Sequence, residues 1–224
     1  CMLTACTTSE DKTKTENSVP ADITYSNEDT DEDIQAVLTQ MLDKNTSADA
    51  VMSDLNFARI LTGVTKLEYE VYENDAIGED GKLTGKNKKT EAVTIKVMIK
   101  KEPIYFKFTV PAGDDLIQAK ADEVADSLIH NLDNIRGNIT LVETAGEDDA
   151  MKISWKSSDT DIITDTATGE NGEFPAGVVT RGDKDEKVTL TASIEYLGKT
   201  TEKEYELTVK AAPEEKEYSA YVYT

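Results

Sequence analysis

The 224 residues carry 45 Asp and Glu against 24 Lys and Arg, a formal net charge of −21. Nucleic-acid binding needs a positive footprint that releases counterions, so that balance argues against a polyanion as partner. The only cysteines are Cys1 and Cys6, so no disulfide framework is expected in the body of the chain, and no run of about 18 apolar residues could form a membrane-crossing helix.

The chain opens Cys1-Met2-Leu3-Thr4-Ala5-Cys6. Leu-Thr-Ala-Cys resembles a bacterial lipobox, in which cleavage before the cysteine precedes transfer of lipid to its thiol. On that resemblance Cys6 is the lipidation site and the expected membrane anchor, and residues 1–5 are the stub of a signal peptide. The following run from Thr7 to Ser18 is polar and repetitive. It cannot bury enough apolar surface to fold, and reads as a flexible tether. Residues 1–28 are therefore assigned to stub, lipobox and tether.

From residue 29 onward the same order of features occurs twice, each time over about 90 residues. The first copy opens with Ile34, Val37, Leu38, Met41 and Leu42, the spacing of one helix face, with Thr30 or Asp31 as cap. Then come a strand-like segment from Val51 to Phe57, an alternating strand through Leu67, Tyr69 and Val71, and a turn at Glu79–Leu83. A hairpin closes it, with Val93, Ile95, Val97 and Ile99 going out and Tyr105 to Val110 returning. Pro111-Ala112-Gly113-Asp114-Asp115 reads as a boundary.

The second copy repeats the scheme. Its helix carries Val124, Ala125, Leu128, Ile129 and Leu132, with Asp114 or Asp115 as cap. Its strand-like segment runs Ile135–Leu141, so that Val51, Leu55 and Phe57 match Ile135, Ile139 and Leu141. Its first strand alternates through Ile153 and Trp155, and its turn is Pro175–Val179. The hairpin carries Val188, Leu190, Ala192 and Ile194, turns at Gly198 and returns through Tyr205, Leu207 and Val209. The expected architecture is mainly β: two tandem immunoglobulin-like β-sandwiches, residues 29–112 and 113–212, each preceded by a short α-helix. Residues 213–224 read as a linker and the start of a truncated following domain.

The second copy carries a recognisable series: Ile135-Arg136-Gly137-Asn138-Ile139-Thr140-Leu141, Ile153-Ser154-Trp155-Lys156-Ser157-Ser158, Gly177-Val178-Val179-Thr180-Arg181, Lys187-Val188-Thr189-Leu190-Thr191-Ala192-Ser193-Ile194 and Lys203-Glu204-Tyr205-Glu206-Leu207-Thr208-Val209. It resembles the atrophied bacterial Ig domain. The first copy is similar only through the repeat, with Tyr69 where the family has tryptophan and Tyr72-Glu73 in place of its Ser-Ser pair. The resemblance implies an accessory module of an exported Gram-positive protein, anchored outside the cell, of the kind that precedes glycoside hydrolase family 43 catalytic domains.

Candidate reactive groups are few. Trp155 and, by its equivalent position, Tyr69 are expected in the cores. His130, the sole histidine, has no second histidine or cysteine near it in sequence, whereas zinc takes about four ligands. The acidic groups Asp29, Asp31, Glu32, Asp33 and Asp159, Asp161, Asp165 lack the spacing of an EF-hand loop. No motif names a nucleophile, a phosphate loop or a catalytic carboxylate pair. The expectation is a monomeric, non-catalytic spacer without cofactor. The alternative is a carbohydrate-binding, cell-wall-binding or adhesion module whose partner is a polysaccharide.

Overall fold

The computed structural model describes residues 18–61, 66–167, 169 and 172–213. Cys6, the lipobox and most of the tether lie outside the described residues, as does the segment from Glu214 onward. Contacts divide the chain into two units, Cys1–Gly113 and Asp114–Thr224.

In the first unit, helix α1 (Glu32–Leu42) begins where Asp31 accepts hydrogen bonds from the Asp33 and Ile34 amides. Those amides have no partner within the helix, and a short carboxylate suits them. Val37, Leu38 and Met41 are buried, as their 3.6-residue spacing requires. Strand β1 (Glu68–Val71) is followed by a long hairpin, β2 (Glu91–Ile99) and β3 (Glu102–Val110). They form an antiparallel sheet in the order β1-β2-β3. The hairpin turns through Lys100 and Lys101, both at positive φ, the geometry that matches the twist of the strands. Val93, Ile95, Val97, Ile99, Phe106, Phe108 and Val110 share the inner face and are buried. Phe106 and Phe108, both fully enclosed, each contribute about 2–3 kcal/mol by leaving water.

In the second unit, helix α2 (Gly113–Leu128) precedes β4 (Thr144–Ala145), β5 (Met151–Ser157), β6 (Glu186–Tyr196) and β7 (Lys199–Val209). The sheet is antiparallel in the order β4-β5-β6-β7. Its core joins Met151, Ile153, Val188, Leu190, Ala192, Ile194, Tyr205, Leu207 and Val209 to Ala121, Ala125 and Ile129, and to Ile135, Leu141 and Ile163 from the loops. The Tyr205 hydroxyl donates to the Ala125 carbonyl at 2.9 Å. Lys203 pairs with Asp122, and Lys199 with Asp114. These three contacts join α2 to β7, in addition to its buried alanines.

Three expectations change. The segments 51–57 and 135–141 are not strands. The Val51 amide bonds to Thr109 of β3, whereas the Leu55 amide bonds to Gly81. Likewise Ile135 bonds to Thr208 and Ile139 to Gly177. Each segment hands its amides to two different partners, so no continuous ladder forms, although Val51, Leu55, Ile135 and Leu141 are buried. Asp114 and Asp115 lie in the first turn of α2 rather than ahead of it, and Ile129 and Leu132 follow its end. Finally, one named sheet forms in each unit among the described residues. In the second unit the layer opposing it is made of extended segments, an isolated Ile163–Val179 bridge and a helix. The whole is mainly β, with two sheets and two α-helices, consistent with an Ig-like sandwich.

Candidate binding site

The two units repeat one hydrogen-bond scheme. Val51 to Thr109 corresponds to Ile135 to Thr208, and Thr109 to Ala48 corresponds to Thr208 to Leu132. Leu55 to Gly81 corresponds to Ile139 to Gly177. The Asp54 carboxylate accepts from the Leu83 amide, and the Asn138 side-chain oxygen from the Val179 amide, both at 2.9 Å. Gly81 and Gly177 have φ of +84° and +91°. A Cβ on either would fall 2.6 Å or 2.1 Å from the carbonyl oxygen of Leu55 or Ile139, closer than atoms can approach. Both turns therefore need glycine for backbone conformation and for space.

The aromatic residues of β1 and β5 follow the same scheme. Trp155 packs half-buried against the core of its unit, its ring 5.8 Å from that of Tyr205. Its indole N–H donates to the Val142 carbonyl at 2.8 Å. The Tyr69 hydroxyl donates to the Ala58 carbonyl at 2.7 Å and accepts from Gln40 Nε2 at 3.1 Å. Ala58 stands one residue after Phe57, as Val142 stands one residue after Leu141. Neither aromatic is fully enclosed. Burial pushes the hydroxyl pKa of Tyr69 up, with the Gln40 contact acting the other way, and burial likewise raises that of Tyr205.

The neighbours of these aromatics differ. Leu141 is buried, whereas Phe57 stays half-buried and lies parallel to Tyr69, with centroids 4.5 Å apart and planes within 2°. The pair lines an open concavity of about 530 Å³, together with Arg59, Lys66, Leu67, Glu68, Glu79 and Asp80. Lys66 and Glu68 pair at 2.6 Å, and the lysine holds the Glu68 carboxyl below its usual range. A smaller hollow of about 240 Å³ in the second unit is lined by Asp122, Ala125, Asp126, Ile129, Leu132, Lys203, Glu204 and Tyr205.

A second aromatic group lies on the other face of the β1-β2-β3 sheet. Tyr25 hydrogen-bonds Thr94 at 3.0 Å, Lys107 lies 5.8 Å from the Tyr25 ring centre, and Tyr72 meets Tyr105 at 6.5 Å. Tyr72 is nearly enclosed there, and burial raises its pKa. The corresponding strand positions of the second unit are Lys, Glu, Ser and Thr, among them Lys152, Ser154, Lys156, Thr191, Ser193 and Glu204.

The acidic clusters serve the backbone. Asp29 accepts from the Asp31 amide, Asp31 caps α1, and Asp33 pairs with Lys100. Asp159 accepts from the Asp161 amide, and Asp165 from the Ser157 amide. His130 is exposed just past the end of α2. Among the described residues, no group of three or more His, Cys, Asp and Glu could hold a metal ion.

Arg59, Glu79 and Asp80 were not legible as site residues, because their juxtaposition depends on two loops meeting. One signal was present: phenylalanine stands at the position where the second copy has leucine.

No curated protein matches the chain at a significant level. Residues 119–212 match the family model of the atrophied bacterial Ig domain.

Proposed function

We propose that the chain is a non-catalytic pair of Ig-like domains serving as a spacer in an exported bacterial lipoprotein. Lipid on Cys6 anchors it, and it presents a carbohydrate-active domain, of the glycoside hydrolase family 43 kind, to a polysaccharide. The observation that carries the reading is the hydrogen-bond scheme common to both units, which supports a like architecture for the first unit and the family-matched stretch. The family match supports an accessory role, and bacterial Ig-like domains are commonly extracellular. The engagement of the clustered carboxylates in caps and turns supports a structural use for them. Two or more acyl chains on one cysteine hold a protein stably to a membrane, whereas one binds marginally.

Mass spectrometry of the N-terminal peptide from native membranes tests the anchor. The expected result is a diacylglyceryl-modified Cys6 at the start of the mature chain. An unmodified Cys6 in membrane fractions overturns the anchored reading.

A further inference from the structure

The concavity at Phe57 and Tyr69 has no equivalent role in the spacer. A spacer needs a closed core at this position, as Leu141 provides in the second unit. The first unit instead places two parallel rings in a hollow whose volume falls within the roughly 300–1,000 Å³ typical of small-ligand sites. The rings are fixed in place. Tyr69 is held through its hydroxyl by Ala58 and Gln40. Phe57 abuts Gly81, where a Cβ would come within 3.2 Å of the ring. A wall already held rigid loses little conformational freedom when a ligand arrives.

The rim selects the chemistry. In a chain with nearly twice as many acids as bases, this hollow gathers Arg59 and Lys66 beside Glu68, Glu79 and Asp80. Lys66 pairs with Glu68, Arg59 also draws the Glu68 carboxyl down, Asp80 accepts from the Lys82 amide, and Glu79 completes a rim of mixed charge. An anion would meet those carboxylates, and a cation would meet the guanidinium. A neutral polyol suits both, because carboxylate oxygens accept from adjacent hydroxyls while a planar guanidinium donates to them. Phe57 and Tyr69 cover one face of each other, and the part of the half-buried Phe57 that remains exposed gives an apolar wall for the C–H groups of a pyranose or furanose ring.

We propose that the concavity lined by Phe57, Tyr69, Arg59, Glu79 and Asp80 binds a unit of a neutral polysaccharide. The site adds a retention function to the first unit and does not depend on the lipid anchor.

The purified full chain is titrated by calorimetry and heteronuclear NMR with xylohexaose, arabinohexaose, cellohexaose and chitotetraose. At least one is expected to bind saturably, with a Kd on the order of 0.1–1 mM, and to shift amide signals around Phe57, Arg59 and Asp80. Arg59→Ala, an exposed rim change, is expected to weaken binding at least tenfold. Phe57→Leu places the residue of the matched second-unit position, retains the fold and abolishes binding. Failure of all four sugars to saturate overturns the proposal, as does binding that Phe57→Leu leaves intact. Preference for glucosamine tetramer over chitotetraose would identify a cation site instead and overturn it too.

Discussion

Gly81 and Gly177 show how much of this fold depends on the absence of a side chain at one position. At Gly177 the φ of +91° and a hypothetical Cβ only 2.1 Å from the Ile139 oxygen act together. Left-handed backbone costs an ordinary residue about 1–2 kcal/mol, and the clash adds to it. Gly177→Ala is therefore expected to destabilise the second unit by about 3 kcal/mol, read as a lowered urea midpoint. Gly137 is the control, since nothing lies within 4 Å of its Cβ position and its φ is not left-handed. Gly137→Ala should stay within about 0.5 kcal/mol. The same reasoning separates Phe57 from Leu141. Their positions are equivalent, but one ring lies against Tyr69 in an open hollow and the other side chain is enclosed.

At the scale of elements, helix α2 is held by contacts from one strand. Tyr205, Lys203 and Lys199 of β7 reach Ala125, Asp122 and Asp114. The hydrogen bond from Lys203 holds the Asp122 carboxyl below its ordinary value, helped by Gln118 and by the lysine charge. A depressed carboxyl pKa stabilises the fold above the unfolded-state value near 4 and loses that contribution as pH falls through the folded-state value. The second unit should accordingly lose stability below about pH 4. Asp122→Asn should flatten that decline while slightly lowering stability at neutral pH. Melting curves between pH 3 and pH 7, fitted for both proteins, check this, and parallel curves would deny the pair any role. The contribution is small, because the pair is exposed and screened. Most of the hold on α2 comes from Ala121 and Ala125 in the core.

At the scale of the whole molecule, the charge of −21 sets the solution behaviour. Excess like charge repels itself in the compact state more than in the expanded one. Salt at about 0.3 M shortens the screening length to about 6 Å and weakens that repulsion. The melting temperature is therefore expected to rise by about 3 °C between about 20 mM and about 300 mM NaCl. A fall would mean that surface pairs such as Lys203–Asp122 and Lys210–Asp185 outweigh the repulsion.

The helix α1, both long hairpins, the glycine turns and the repeat itself were legible in the sequence, because they rest on periodicity and on local backbone conformation. Val93 to Ile99 alternate, and they alternate in the sheet. The ordered motifs of residues 135–209 also sufficed to indicate the family that residues 119–212 match. Only tertiary structure decided that segments 51–57 and 135–141 divide their hydrogen bonds between a sheet edge and a turn, since their apolar spacing is the same as that of a strand. Only tertiary structure stacked Phe57 on Tyr69 and set Arg59 near Asp80. Those residues lie on the segment after Val51, on strand β1 and on the turn at Glu79–Leu83, and their meeting depends on Gly81 leaving room for a ring against the backbone.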